Sequence, residues 1–106
     1  MVEMLVMRRA NGDLFSREIN GQPRIPVWST RAACARYRER NPELLTYMPA
    51  RLDEALIRRI MDGARHVTFF LVAEDAPDAS LDRGKVVSPD ELLLTRRAAT
   101  SATARG

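Results

Sequence analysis

Residues 66–73 read His-Val-Thr-Phe-Phe-Leu-Val-Ala, and both alternating sets of side chains in this run are largely apolar. In an extended strand Val67, Phe69 and Leu71 point one way, and Thr68, Phe70 and Val72 the other. Such a strand is stable when it is covered on both sides, which makes it the centre of a sheet. The run is far shorter than the ~20 apolar residues a membrane span requires. Its neighbours and its cover must come from within 106 residues, the length of a single domain.

The first quarter supplies strands. Asn11-Gly12 and Asn20-Gly21 are Asn-Gly pairs, which accept the positive φ angles of a type I′ hairpin turn. The flanking segments Met4–Arg9, Leu14–Ile19 and Arg24–Trp28 therefore read as a three-stranded antiparallel meander. Pro23 and Pro26 cannot donate to a ladder, which places the third segment at an edge or makes it irregular.

Helices follow. Ser29 and Thr30 offer N-caps for a helix running to about Arg40, and Asn41-Pro42 ends it. Its apolar stripe is Ala33, Cys34 and Tyr37, with Arg31, Arg36, Arg38 and Arg40 largely on the other faces. Leu44–Met48 reads as a short strand closed by Pro49. A second helix spans about Leu52–Asp62, with Leu52, Leu56, Ile57, Ile60 and Met61 on one face and Gly63 as its stop. Residues 74–83 form an acidic loop, and Lys85–Val87 a further short strand. Ser88-Pro89-Asp90-Glu91 is a helix start: Ser88 at the N-cap, Pro89 at the first position, Glu91 closing a capping box.

The expected fold is therefore α+β: an antiparallel sheet, made of the N-terminal meander and a central strand at 66–73, with two or three helices packed mainly on one face. One domain covers 1–95. Residues 96–106, rich in Arg, Ala and Thr and without periodicity, read as a disordered tail.

Charge and chemistry narrow the function. The net charge is +3, but residues 96–106 hold three arginines and no acid, so 14 basic side chains face 14 acidic ones in the remainder. No net field draws the domain toward a polyanion. A single cysteine, Cys34, and a single histidine, His66, cannot build a Cys/His zinc site or an internal disulfide. Glu74, Asp75, Asp78 and Asp82 lack the spacing of a calcium loop. Ser29 and Thr30 serve as caps rather than nucleophiles, and His66 has no sequence neighbour that marks it as a base. No metal, cofactor or catalytic site is expected, and hence no enzyme. The opening Met1–Met7 has Glu3 and no long apolar core, unlike a secretory signal, so the expected location is cytoplasmic.

What remains is binding. Trp28, the sole tryptophan, stands where the meander enters the first helix, and Tyr37 lies among that helix's arginines. Trp28, Arg36, Tyr37 and Arg40 are the candidate partner-binding residues. The stretch Ile25-Pro26-Val27-Trp28-Ser29-Thr30, delivered by a short sheet into an Arg-rich helix, resembles the corresponding turn of bacterial SseB-type domains. The order of the later helix and strand is similar as well. That resemblance implies a small cytoplasmic, non-enzymatic module, and it assigns no site residue. The expected function is a binding or regulatory module acting through protein–protein contact, with a protein partner or a second copy of the chain. The alternative is a nucleic-acid-associated protein using the first helix and the basic tail.

Overall fold

The computed structural model describes residues 4–63, 67–73, 81 and 83–94. Along the chain run β1 (Leu5–Arg9), β2 (Arg17–Ile19), β3 (Gln22–Val27), α1 (Arg31–Arg40), a 3-10 turn at Pro42–Leu44, β4 (Tyr47–Arg51), α2 (Glu54–Gly63), β5 (Thr68–Val72) and β6 (Gly84–Val87). Residues 89–94 are helical and are labelled α3. The class is α+β.

Local chemistry explains the elements. Asn20 (φ 55°) and Gly21 (φ 81°) form the two-residue turn between β2 and β3, with Ile19 opposite Gln22. Asn11-Gly12 behaves differently: only Gly12 is left-handed (φ 96°), and its N–H donates to the Arg9 carbonyl, giving a longer loop with a glycine bulge. Thr30 caps α1, its hydroxyl accepting from the Ala33 N–H at 3.1 Å, so Ser29 is not the cap. Asn41 closes the helix, its side chain donating to the Tyr37 carbonyl. In α2 the cap is Asp53, which accepts from the Leu56 N–H at 2.8 Å. Ser88 and Glu91 form the capping box at the start of α3.

The strand pairing corrects the meander. β2 and β3 do form an antiparallel hairpin, but β1 meets Leu14 only through an isolated bridge at Arg8. Its main partner is β4, antiparallel, with Leu5 opposite Arg51 and Arg9 opposite Tyr47. The Leu44–Met48 strand is thereby corrected too. Leu44 belongs to the 3-10 turn, and β4 runs through Pro49. β5 lies between β3 and β6, parallel to β3 and antiparallel to β6. The two sheets, β4-β1 and β2-β3-β5-β6, abut where Leu5 and Trp28 exchange backbone hydrogen bonds of 2.8 and 2.9 Å.

Proline placement follows from this pairing. Trp28 turns its N–H toward β1, so the missing N–H of Pro26, two residues earlier, faces the same edge of β3. That position falls between the end of the β2 pairing at Arg24 and the bridge to β1 at Trp28. No ladder bond is lost there.

Helices cover both faces rather than mainly one. Phe69, with Val6, Ile25 and Val27, packs against Ile57 of α2 and Leu92 and Leu93 of α3. Phe70, with Leu5, Met7, Trp28 and Val72, packs against Cys34 and Tyr37 of α1. Adjacent residues of β5 thus enter two different cores, as strand alternation demands. The expectations for His66, for most of the acidic loop and for the 96–106 tail concern residues outside the described ones.

Candidate functional site

The four candidate contact residues separate in the structure. Trp28 is fully buried, its ring 5.0 Å from that of Tyr37. Tyr37 is buried too, and its hydroxyl accepts from Arg17 Nη1 at 2.9 Å; Arg17 in turn stands 3.6 Å from Glu43. These two aromatics anchor α1 to the sheet, so neither presents a contact surface. That corrects their place in the candidate set. Arg36 and Arg40, one turn apart, are exposed on the outer side of α1.

Cys34 sits beneath α1 with its Sγ 3.7 Å from Met7 Sδ. Burial pushes its thiol up to about 12, against a smaller lowering by the Arg31 charge, which keeps it an inert packing residue. Among the described residues, Arg24 is the buried cation. Its Nε donates to the Ile19 carbonyl at 2.9 Å and its Nη1 to Thr68 Oγ1 at 2.7 Å, tying the β2–β3 turn to the start of β5.

An open groove of about 800 Å³ lies between the start of β3, the end of α2 and the start of α3, lined by Pro23, Met61, Val67 and Pro89 with Gln22, Thr68, Ser88 and Asp90. Its two hydroxyls are engaged, Thr68 by Arg24 and Ser88 by the capping box. The described residues form no cluster of three or more His, Cys, Asp or Glu suited to a metal ion. Among them no helix is long and apolar enough to cross a membrane.

The sheet edges carry the contrast that matters. At β4, the Leu52 N–H donates to the Met4 carbonyl, so residues 52, 50 and 48 turn their backbone toward β1, and Arg51, Pro49 and Tyr47 turn theirs outward. This outer edge is blocked in two ways. Pro49 has no N–H to offer, and Arg38 from α1 donates to the Tyr47 carbonyl at 2.6 Å and the Leu45 carbonyl at 3.1 Å. Both are devices that stop an edge from recruiting another strand.

At β6 the outer edge has neither device. The Ala73 N–H donates to the Arg83 carbonyl, so residues 83, 85 and 87 face β5, while Gly84 and Val86 turn N–H and C=O outward. Nothing among the described residues pairs with that outer side. Val86 is 39% exposed, and Gly84 and Lys85 are exposed beside it. No proline interrupts this strand.

No family model matches the chain, and no curated protein matches it.

Proposed function

We propose that the chain is a small cytoplasmic, non-enzymatic binding or regulatory module that works by protein–protein contact, and that the contact is made by the outer edge of β6. The observation that carries this reading is the pair of outward-facing backbone units at Gly84 and Val86 on the edge of the four-stranded sheet, in contrast to the outer edge of β4 in the two-stranded sheet, which is blocked. An unpaired edge gives a partner strand main-chain hydrogen bonds at no cost in rearrangement. The resemblance of Ile25–Thr30 and α1 to SseB-type bacterial domains supports a module of the same general kind.

A second reading rests on Arg36 and Arg40, exposed one turn apart on α1, which suit a phosphate backbone. Glu39 and Glu43, exposed within four positions of them in the chain, dilute that positive charge. The protein-contact reading therefore ranks first.

Two measurements on the full chain separate the readings. A photo-crosslinking side chain at position 85, in the native host, is expected to give a protein adduct of defined mass that Val86→Pro removes. The same crosslinker at exposed Arg58 on α2 gives no such adduct. Persistence of the adduct in Val86→Pro would overturn the edge contact. Micromolar nucleic-acid binding, steeply weakened by salt and lost in Arg36→Ala/Arg40→Ala, would put the second reading in its place.

A further inference from the structure

The side chains along β6 say what kind of strand can dock there. Resting on the edge-contact reading above, we infer that the occupant is an extended segment of a different protein, with acidic residues at alternate positions opposite Arg83 and Lys85 and apolar residues between them. Lys85 and Val87 share the sheet face covered by α2 and α3, as their register with Leu71 and Phe69 requires, and strand alternation carries Arg83 to the same side. Gly84 and Val86 share the other face, beside Phe70. Phe70 already occupies the space above Gly84: a Cβ there would stand 2.7 Å from its ring. A residue added opposite Gly84 or Val86 therefore meets an apolar surface, and one added opposite Arg83 or Lys85 meets a cation.

Charge decides between a partner and a second copy. For a strand docked antiparallel on this edge, Lys85 stands in a non-hydrogen-bonded pair, where opposed side chains come closest. Two copies related by a two-fold axis and centred on Lys85 place Lys85 opposite Lys85. Centred on Gly84, they place Lys85 opposite Arg83. Both registers set like charges face to face, which destabilises the pair. The register centred on Val86 brings Ser88 into the ladder, and Ser88 is the N-cap at which the chain turns into α3. The edge thus rejects its own copy and accepts an acid-bearing strand, a selectivity made by repulsion as much as by attraction. Lys85 is the only lysine in the chain, and its charge is opposed by a like charge in both of these registers.

The test uses the ¹⁵N-labelled full chain and two synthetic peptides: acetyl-Thr-Val-Glu-Val-Glu-Thr-amide, and the same peptide with Lys in place of both Glu. The Glu peptide is expected to shift the amide signals of Gly84 and Val86 and to bind about tenfold more tightly than the Lys peptide. Lys85→Glu, a surface change that leaves the β5–β6 ladder intact, should narrow or reverse that preference. Val86→Pro should abolish binding of both peptides while the remaining amide spectrum stays native. Equal binding of the two peptides at this edge refutes the acidic occupant and leaves the edge-contact reading standing. Absence of any shift at Gly84 and Val86 with either peptide refutes both. A dimer in sedimentation velocity that Val86→Pro converts to monomer shows that the occupant is a second copy, which also overturns the inference.

Discussion

Replacing Gly84 by alanine tests the packing around the β5–β6 pair through a single methyl group. The backbone at Gly84 is not left-handed, so the substitution brings no conformational strain. Its effect is steric. The new Cβ would lie 2.7 and 2.8 Å from two ring carbons of Phe70 and closer still to the Leu71 carbonyl oxygen. The ring can rotate or slide, but the carbonyl belongs to β5, which is held on both sides by β3 and β6. The added methyl therefore forces the two strands apart locally or displaces Phe70 from its core. Overpacking of this kind costs about 1–3 kcal/mol, against a gain of about 0.4–1 kcal/mol from the stiffer unfolded chain. The net expectation is a loss of roughly 1–2 kcal/mol, read as a fall in Tm of roughly 5–15 °C. Gly63 at the end of α2 provides the control, since a Cβ there meets nothing within 4 Å. Gly63→Ala makes the same chemical change with no steric opposition and should stabilise by about 0.4–1 kcal/mol. Urea titrations followed by circular dichroism measure both. Equal effects of the two substitutions, or a stabilised Gly84→Ala, would refute the close approach of Phe70 and β5 to Gly84.

Three further outcomes are expected. Phe69→Ala removes a fully buried ring from between β5 and the α2–α3 cover and should cost about 3–5 kcal/mol in the same titration; a cost below about 1 kcal/mol would mean that this face is not enclosed. Because the folded Cys34 thiol titrates near 12 and the unfolded one near 9.0, its contribution to stability is fully present below pH 9 and is lost as pH rises toward 12. Stability of the wild type should accordingly fall more steeply above pH 9 than that of Cys34→Ala, by up to about 1.4 kcal/mol per pH unit, and parallel slopes would contradict the burial of the thiol. Arg38→Ala frees the Tyr47 and Leu45 carbonyls at the β4 edge and should cost about 1–2 kcal/mol while raising concentration-dependent association in sedimentation velocity. Arg38→Lys should restore only part of this, since an ammonium lacks the fork that spans two carbonyls.

The readable parts of this fold are the ones written in neighbouring residues. Asn20-Gly21 specifies its turn, Thr30 and Asn41 bound α1, and Ser88 with Glu91 starts α3, each through a contact spanning no more than four positions. The doubly apolar run around Phe69 and Phe70 likewise implies cover on two sides, and both cores are present. Pairings between distant segments leave no such local mark. Nothing in Leu5–Arg9 says that its partner is Tyr47–Arg51 rather than the strand after the first turn, and the parallel match of β3 with β5 spans more than forty residues. Pro49 misled for a related reason. It reads as a strand terminator, yet an outward-facing position on an edge strand has no use for an N–H. The candidate contact set mixed two kinds of residue. The three-residue spacing of Cys34 and Tyr37 already placed Tyr37 inward, and Trp28, three positions before α1, follows it into the same core. Arg38 was legible only as one of four arginines, because its role depends on where β4 lies. The open edge at Gly84–Val86 was hidden in the same way, since which backbone groups face outward is set by the register with β5.

Hydrogen exchange of four consecutive amides reports whether the β6 edge is open in the free protein. In the free full chain, the Gly84 and Val86 N–H groups face outward from the sheet and should exchange at rates close to those of an unstructured chain. Lys85 and Val87, bonded to β5, should be protected by several orders of magnitude. This fast–slow–fast–slow alternation, resolved by NMR, is the expected result. Protection of Val86 equal to that of Lys85 would show that the edge is already covered in the free protein, and would contradict the account of β6 as its contact surface.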